Sequence, residues 1–251
     1  MRYLMAMLIT CCMAMPALAC DAGVVLLHGK ETMPGNPHIQ KLAEALRGAG
    51  CKVVVPEMPW SRKRIYDATV DQAMEEIARA AEGLKAQGAK RIVIAGHSQG
   101  GNAAIRFAVT HAPDAIVVLA PGHQPEFIIR QTSNDVGRAQ SLLAEGQGDV
   151  PATFKDVNVG HNLDVRTTPR IYLSWLDPAG PAVMPANAAA IKRAVPIFMA
   201  VGERDNVTRD RGYIFERAPA HSSSSYVVVD ADHVGVPAAA TPALIAWLAR
   251  L

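Results

Sequence analysis

The chain has 251 residues, 50% hydrophobic and 19% charged, with a formal net charge of +2 and 5% aromatic residues. Those values exclude a disordered chain, and the balanced charge with few rings excludes a nucleic-acid-binding surface. The length suits one large α/β domain or two small ones, with a core of Val, Ile, Leu and Ala.

Residues 1–19 combine an early cation (Arg2), an apolar run over 4–15 and the small-residue ending Ala17-Leu18-Ala19. This is the pattern of a secretory signal peptide, with a buried N-terminal helix or a retained anchor as the alternative. The run is too short to span a bilayer as a resident helix. Cleavage before Cys20 removes Cys11 and Cys12 and leaves Cys20 and Cys51 in a periplasmic or secreted protein, where disulfides persist. Cys20 at the cleavage point also raises a lipid anchor, but Pro16-Ala17-Leu18-Ala19 departs from a Leu-led lipobox. No other apolar run is long enough for stable membrane insertion.

The remaining chain, 20–251, alternates short apolar runs with longer amphipathic ones. Residues 24–27 read as a buried strand, and 36–47 space Ile39, Leu42, Ala43 and Leu46 as a helix stopped by Gly48. A second strand covers 53–55. Residues 67–87 carry Val70, Ala73, Met74, Ile77, Ala81 and Leu84 on one helical face. A strand at 91–95, a helix at 100–110 and a strand at 115–119 follow. Strands at 196–201 and 226–229 and a helix at 242–250 close the chain. Helices alternating with strands that are apolar on both sides predict a three-layer α/β fold with a mostly parallel sheet of about six strands. Residues 121–195 are too long for a simple crossover. They hold helical pieces at 134–144 and 186–193 and are expected to form a lid-like insertion. Cys20 and Cys51 each precede one of the first two strands. Consecutive parallel strands are usually neighbours, so the thiols are expected to meet as a disulfide at the amino-terminal sheet edge. Two free thiols or a lipidated Cys20 are the alternatives.

The strongest chemical signal is Gly96-His97-Ser98-Gln99-Gly100, where a buried strand runs directly into a helix. This is G-x-S-x-G in its strand–turn–helix setting. The turn must lift the Ser98 hydroxyl above the sheet, and bulk two residues to either side would obstruct it. A serine nucleophile needs a base oriented by a third group. Among eight histidines, His233 stands between the last strand and the last helix. The carboxylate comes from the preceding strand end, Val201-Gly-Glu-Arg-Asp205, where Asp205 ranks above Glu203 and Asp210 because all three site residues then share the carboxyl edge of the sheet.

With Ser98, Asp205 and His233 in that chain order, the sequence from Val24 to Leu251 resembles the α/β-hydrolase superfamily. His28-Gly29 after the first strand is similar to that family's His-Gly oxyanion loop. The resemblance implies that the backbone amides of Lys30 and Gln99 stabilise the tetrahedral oxyanion. The His28–Lys30 and Pro56–Ser61 segments are similar to those of a group of small bacterial hydrolases. The family's two additional strands before the His-Gly strand find no room after a signal peptide.

The resulting expectation is an exported serine hydrolase cleaving a small-molecule carboxylic ester through an acyl-enzyme. A thioesterase, amidase or peptidase on the same residues, or a non-catalytic binding protein on a hydrolase scaffold, are the alternatives. An acyl pocket is expected from Trp60, Tyr172, Trp175 and Met184; Trp175 as a mere anchor of the insertion is the alternative. Trp60-Ser-Arg-Lys-Arg64 follows the second strand, so its cations either flank the site mouth or solvate a loop. No metal-ligand cluster, Walker lysine or dinucleotide spacing is present, so neither metal nor cofactor is expected.

Overall fold

Short β-branched and leucine-rich runs build the sheet, and the helices that follow them bury one face each. In this computed structural model, residues 20–206 and 210–251 are described; the signal-peptide pattern at 1–19 lies outside them. In chain order the first half contains β1 (Ala22–Leu27), α1 (Pro37–Gly48), β2 (Lys52–Val54), α2 (Val70–Ala86), β3 (Arg91–His97), α3 (Gln99–Thr110) and β4 (Ala115–Leu119). The insertion supplies α4 (Pro125–Ala144), β5 (Ala152–Asn158), β6 (His161–Thr167), α5 (Pro169–Leu176) and α6 (Met184–Ala190). Then come β7 (Ile197–Gly202), a 3₁₀ turn (Arg211–Tyr213), β8 (Ser225–Val229) and α7 (Val236–Leu248).

Six strands form one parallel sheet in the order β2-β1-β3-β4-β7-β8. Successive side chains point to opposite faces. Val25 and Leu27 of β1, Ile92 and Ile94 of β3, and Ile116 and Val118 of β4 join the core under α2, α3 and the insertion. Val24, Leu26, Val93, Ala95, Val117 and Leu119 join the opposite core under α1 and α7. Both faces are covered, which is why these strands read as unbroken apolar runs. The chain leaves β1 for β2 on one side and returns to β3 on the other. The carboxyl ends of β1 and β3 therefore meet at a topological switch point, the place where open α/β sheets bind ligands.

Cys20 and Cys51 form a disulfide with Cα atoms 4.7 Å apart. It follows from the β1–β2 pairing, in which Gly23 faces Lys52.

Three boundaries differ from the sequence expectation for local reasons. Helix α2 starts at Val70, not 67, because Thr69 and Gln72 form a reciprocal capping box. Helix α7 starts at Val236 and contains Pro242 in its interior; Val236 and Ala240 are buried against the sheet, and that packing outweighs the proline's missing N–H. Helix α4 extends back to Pro125, a proline suited to a first helical turn.

The antiparallel hairpin β5–β6 has no counterpart in the sequence expectation. Its inward positions on β5 include Phe154 and Asp156, with Thr153 and Lys155 outward. A carboxylate at an inward position erases the apolar alternation that would have marked the strand.

Candidate active site

Ser98 joins β3 to α3 with φ 54° and ψ −120°, a conformation that non-glycine residues adopt only where the surroundings impose it. The flanking glycines make the turn possible. A Cβ on Gly96 would lie 2.1 Å from the backbone of Gly100, and one on Gly100 would lie 2.5 Å from the Leu27 carbonyl oxygen. The Ser98 N–H donates to the Leu119 carbonyl (3.0 Å), which ties the elbow to β4.

His233 and Asp205 come from the loops after β8 and β7, which are neighbours in the sheet. His233 Nδ1 lies 2.9 Å from Asp205 Oδ2, and the Asp205 side chain is only 2% exposed. Of the two competing carboxylates, Glu203 is exposed and Asp210 caps the 3₁₀ turn through the Gly212 N–H. The ring of His97, beside Ser98, donates Nε2–H to the His233 carbonyl (2.9 Å). Burial holds the His97 imidazole down at about 4, so it is neutral.

Ser98 and His233 face one cavity of about 210 Å³. Gly122 forms part of its wall; a Cβ there would lie 2.7 Å from Ser98 Oγ and 3.6 Å from His233 Cε1. Further wall comes from Phe127 and Ile128 of α4 and from Val157 and Val159 of the hairpin. Phe127 and Val159 are 44% and 69% exposed and stand at the cavity mouth together with the exposed Gln131.

His28 and Gly29 follow β1 directly, beside the elbow. His28 Nε2 accepts from the Met58 N–H (3.1 Å), and its carbonyl accepts from Trp60 Nε1–H (2.8 Å). The ring is held below its ordinary pKa by burial. The next residue, Lys30, sends its ammonium inward to both oxygens of Asp156 (2.9 and 2.8 Å). Burial pulls Lys30 down and the Asp156 carboxylate opposes this. Tyr66 Oη sits 3.0 Å from Gln99 Oε1 and 3.2 Å from Asp156 Oδ2, and burial raises its pKa well above the usual tyrosine range. His123, also in the cavity wall, donates Nε2–H to the Trp175 carbonyl (2.8 Å), and burial holds it at about 3.

The large apolar side chains expected to form an acyl pocket are elsewhere. Trp60, Tyr172, Trp175 and Met184 are 1%, 0%, 1% and 0% exposed, belong to the core between insertion and sheet, and do not line the Ser98 cavity. Trp175 Nε1–H donates to the Ala68 carbonyl (2.9 Å), the bond of an anchor. Trp60 borders a second cavity of about 280 Å³, shared with Arg62, Ile65, Tyr66 and Asp164. Arg64 does not face either cavity and is bound to Glu76 and Asp67. Asp156 and Tyr66 carry no local sequence signal, because their meeting depends on a hairpin and a loop 90 residues apart.

Among the described residues, no group of three or more His, Cys, Asp or Glu is placed to hold a metal ion, and no helix is long and apolar enough to cross a membrane.

A profile of the alpha/beta hydrolase family matches residues 24–246. No curated protein sequence matches the chain significantly. Similar solved structures include the monoacylglycerol lipase of Paleococcus ferrophilus (TM-score 0.66, 21% identity, 92% of this chain and 95% of that one). Est1E from Butyrivibrio proteoclasticus with ferulic acid bound is another (TM-score 0.61, 17% identity, 93% and 90%). A third is the esterase domain of a Rhodothermus marinus protein (TM-score 0.60, 17% identity, 92% and 88%). With the parallel six-stranded sheet and a family profile matched over most of its length, the chain belongs to the α/β-hydrolase family.

Proposed function

We propose that the protein is a serine hydrolase that cleaves a carboxylic ester through an acyl-enzyme. Ser98 Oγ attacks the acyl carbon. His233 Nε2 takes the serine proton and returns it to the leaving alcohol, and water then deacylates the enzyme by the same route. The observation that carries this reading is the 2.9 Å contact between His233 Nδ1 and Asp205 Oδ2, on a ring that shares a cavity with Ser98. Committing Nδ1–H to the carboxylate leaves the lone pair on Nε2, the atom a general base needs. The oxyanion is assigned to the amides of Lys30 and Gln99. Gln99 is the first residue of α3, so its N–H has no intrahelical acceptor and sits at the positive end of the helix dipole.

The apolar wall of Phe127, Ile128, Val157 and Val159 supports an acyl chain as the group bound beside Ser98. A monoacylglycerol lipase and an esterase domain among the similar structures support the same bond type. The insertion is read as the lid of this cavity, since it supplies that wall. Export belongs to the same reading: residues 1–19 have the signal pattern, and the bridged sulfur of Cys20 is not a free thiol for lipidation.

The test is turnover of p-nitrophenyl esters of increasing acyl length by the wild-type protein and Ser98→Ala. The expected result is hydrolysis with a chain-length optimum in the wild type and none in the variant, at an unchanged melting temperature. Wild-type turnover by Ser98→Ala would overturn the reading.

A further inference from the structure

Lys30 and Gln99, the residues whose amides are assigned to the oxyanion, send both side chains into one buried network. Lys30 Nζ donates to both oxygens of Asp156 and to the Val157 carbonyl (2.9 Å). Gln99 meets the Tyr66 hydroxyl, which also lies beside Asp156. The hydroxyl has one proton for two acceptors, so it can donate to only one of them; with the Gln99 amide turned about, Nε2, buried without a partner as placed, donates to Tyr66 Oη and the hydroxyl donates to Asp156. Asp156 Oδ1 accepts from the Val157 N–H as well (2.6 Å). Asp156 and Gln99 are fully buried, Tyr66 is 3% exposed and Lys30 is 6% exposed.

Stability alone does not account for this arrangement. A buried ion pair loses much of its Coulomb gain to desolvation, and an apolar pair of similar volume is commonly as stable. The network is also held against backbone strain: Ile65 and Tyr66 have φ of 47° and 55°, and such values are outliers for a β-branched side chain. Strain of this kind persists where surrounding contacts over-determine it, and it clusters at functional sites. Here it delivers Tyr66 to the one position between Gln99 and Asp156.

We propose that Asp156 is a positioning residue: it fixes Lys30 directly and Gln99 through Tyr66, and so sets the spacing of the two oxyanion amides. This rests on the serine-hydrolase reading above. The amide of Lys30 lies in a loop whose flanking backbone is tied by the Glu31 N–H to the Trp60 carbonyl (3.0 Å) and by the Thr32 hydroxyl to the Gly29 carbonyl (2.9 Å). The Lys30 side chain adds a tie to the hairpin at the residue whose amide is assigned to the oxyanion. Because Asp156 lies on β5, the hairpin that walls the acyl cavity also holds the oxyanion site.

Asp156→Asn leaves the Lys30 ammonium without its counter-charge and endangers the fold, so the paired apolar variant Lys30→Met/Asp156→Leu and the single variant Tyr66→Phe carry the test. Each is assayed for melting temperature, for kcat and KM on one p-nitrophenyl ester, and for kcat on the matching thionoester. Sulfur accepts hydrogen bonds weakly, so a thionoester gains little from well-placed amides. The expected result for the paired variant is a folded protein with kcat on the oxygen ester down about 10- to 100-fold, less than the roughly 100- to 1000-fold of a lost oxyanion donor because the amides are displaced rather than removed. KM should stay within about threefold, and the oxygen-ester to thionoester ratio should fall by a factor similar to the loss in kcat. Tyr66→Phe should move the same ratio in the same direction by a smaller factor. Wild-type kcat and ratio in both variants, with Ser98 still labelled by a fluorophosphonate, would overturn the proposal and leave the reading beneath it standing. A wild-type protein whose Ser98 takes no fluorophosphonate would bring down both.

Discussion

Gly122→Ala is the smallest change that reaches the proposed nucleophile without removing any polar group. The added Cβ would sit 2.7 Å from Ser98 Oγ, where ordinary contact begins at 3.4 Å, so Ser98 must retreat by about 0.7 Å. The same Cβ lies 3.6 Å from His233 Cε1, which is ordinary contact, so the histidine stays in place. The change therefore separates nucleophile from base. A misplacement of about 1 Å is worth roughly 100-fold in rate, and 0.7 Å should cost roughly 10- to 100-fold in kcat/KM. Stability should change by less than about 1 kcal/mol, because the displaced atom is the tip of a rotatable side chain rather than packed backbone. Steady-state hydrolysis of a p-nitrophenyl ester, paired with thermal unfolding, reads both quantities. Activity within twofold of wild type at the same melting temperature would refute the assignment of this cavity to the reacting atoms.

Asp205→Asn should cost about 10⁴-fold in kcat by removing the group that fixes the His233 tautomer; a loss under tenfold would contradict it. Reduction of the Cys20–Cys51 bridge opens a loop of 31 residues' separation, worth about 3–4 kcal/mol or roughly 6–16 °C in Tm. kcat/KM below the transition should change less than about twofold, and a parallel loss of both would place the bridge in the catalytic machinery. His97 and His123 are held at about 4 and about 3 by burial, whereas the unfolded chain takes up those protons near pH 6.5. Their contribution to stability is complete above pH 6.5 and falls as pH drops towards 4, by up to about 1.4 kcal/mol per pH unit for each ring. Thermal unfolding between pH 7 and 4.5 should show that slope, reduced in His97→Asn; a flat profile would contradict the buried neutral rings.

The sheet was legible because β1, β3, β4 and β7 are buried on both faces and so appear as continuous apolar runs. The Ser98 elbow was legible because its requirements are local: a strand, a turn with glycines two residues to either side, and a helix. Asp205 and His233 could be paired from strand order alone, since each follows one of the last two strands. The hairpin was not legible, because Asp156 occupies an inward position that periodicity reserves for apolar residues. The lining of the Ser98 cavity was not legible from side-chain size. Trp60, Tyr172, Trp175 and Met184 drew attention as large apolar side chains, but their volume is used to fill the core beneath the insertion. The smaller Ile128, Val157 and Val159 face Ser98 instead, and nothing in their local sequence separates a cavity wall from a surface.

The central claim is that Ser98 is the nucleophile, and covalent labelling tests it most directly. The protein is treated with a fluorophosphonate, and intact mass and peptide mapping locate the adduct. The account predicts one phosphonyl group per chain, on Ser98, with labelling lost in Ser98→Ala and strongly slowed in His233→Ala. An unlabelled wild-type protein that still hydrolyses esters, or an adduct on another residue, would contradict it.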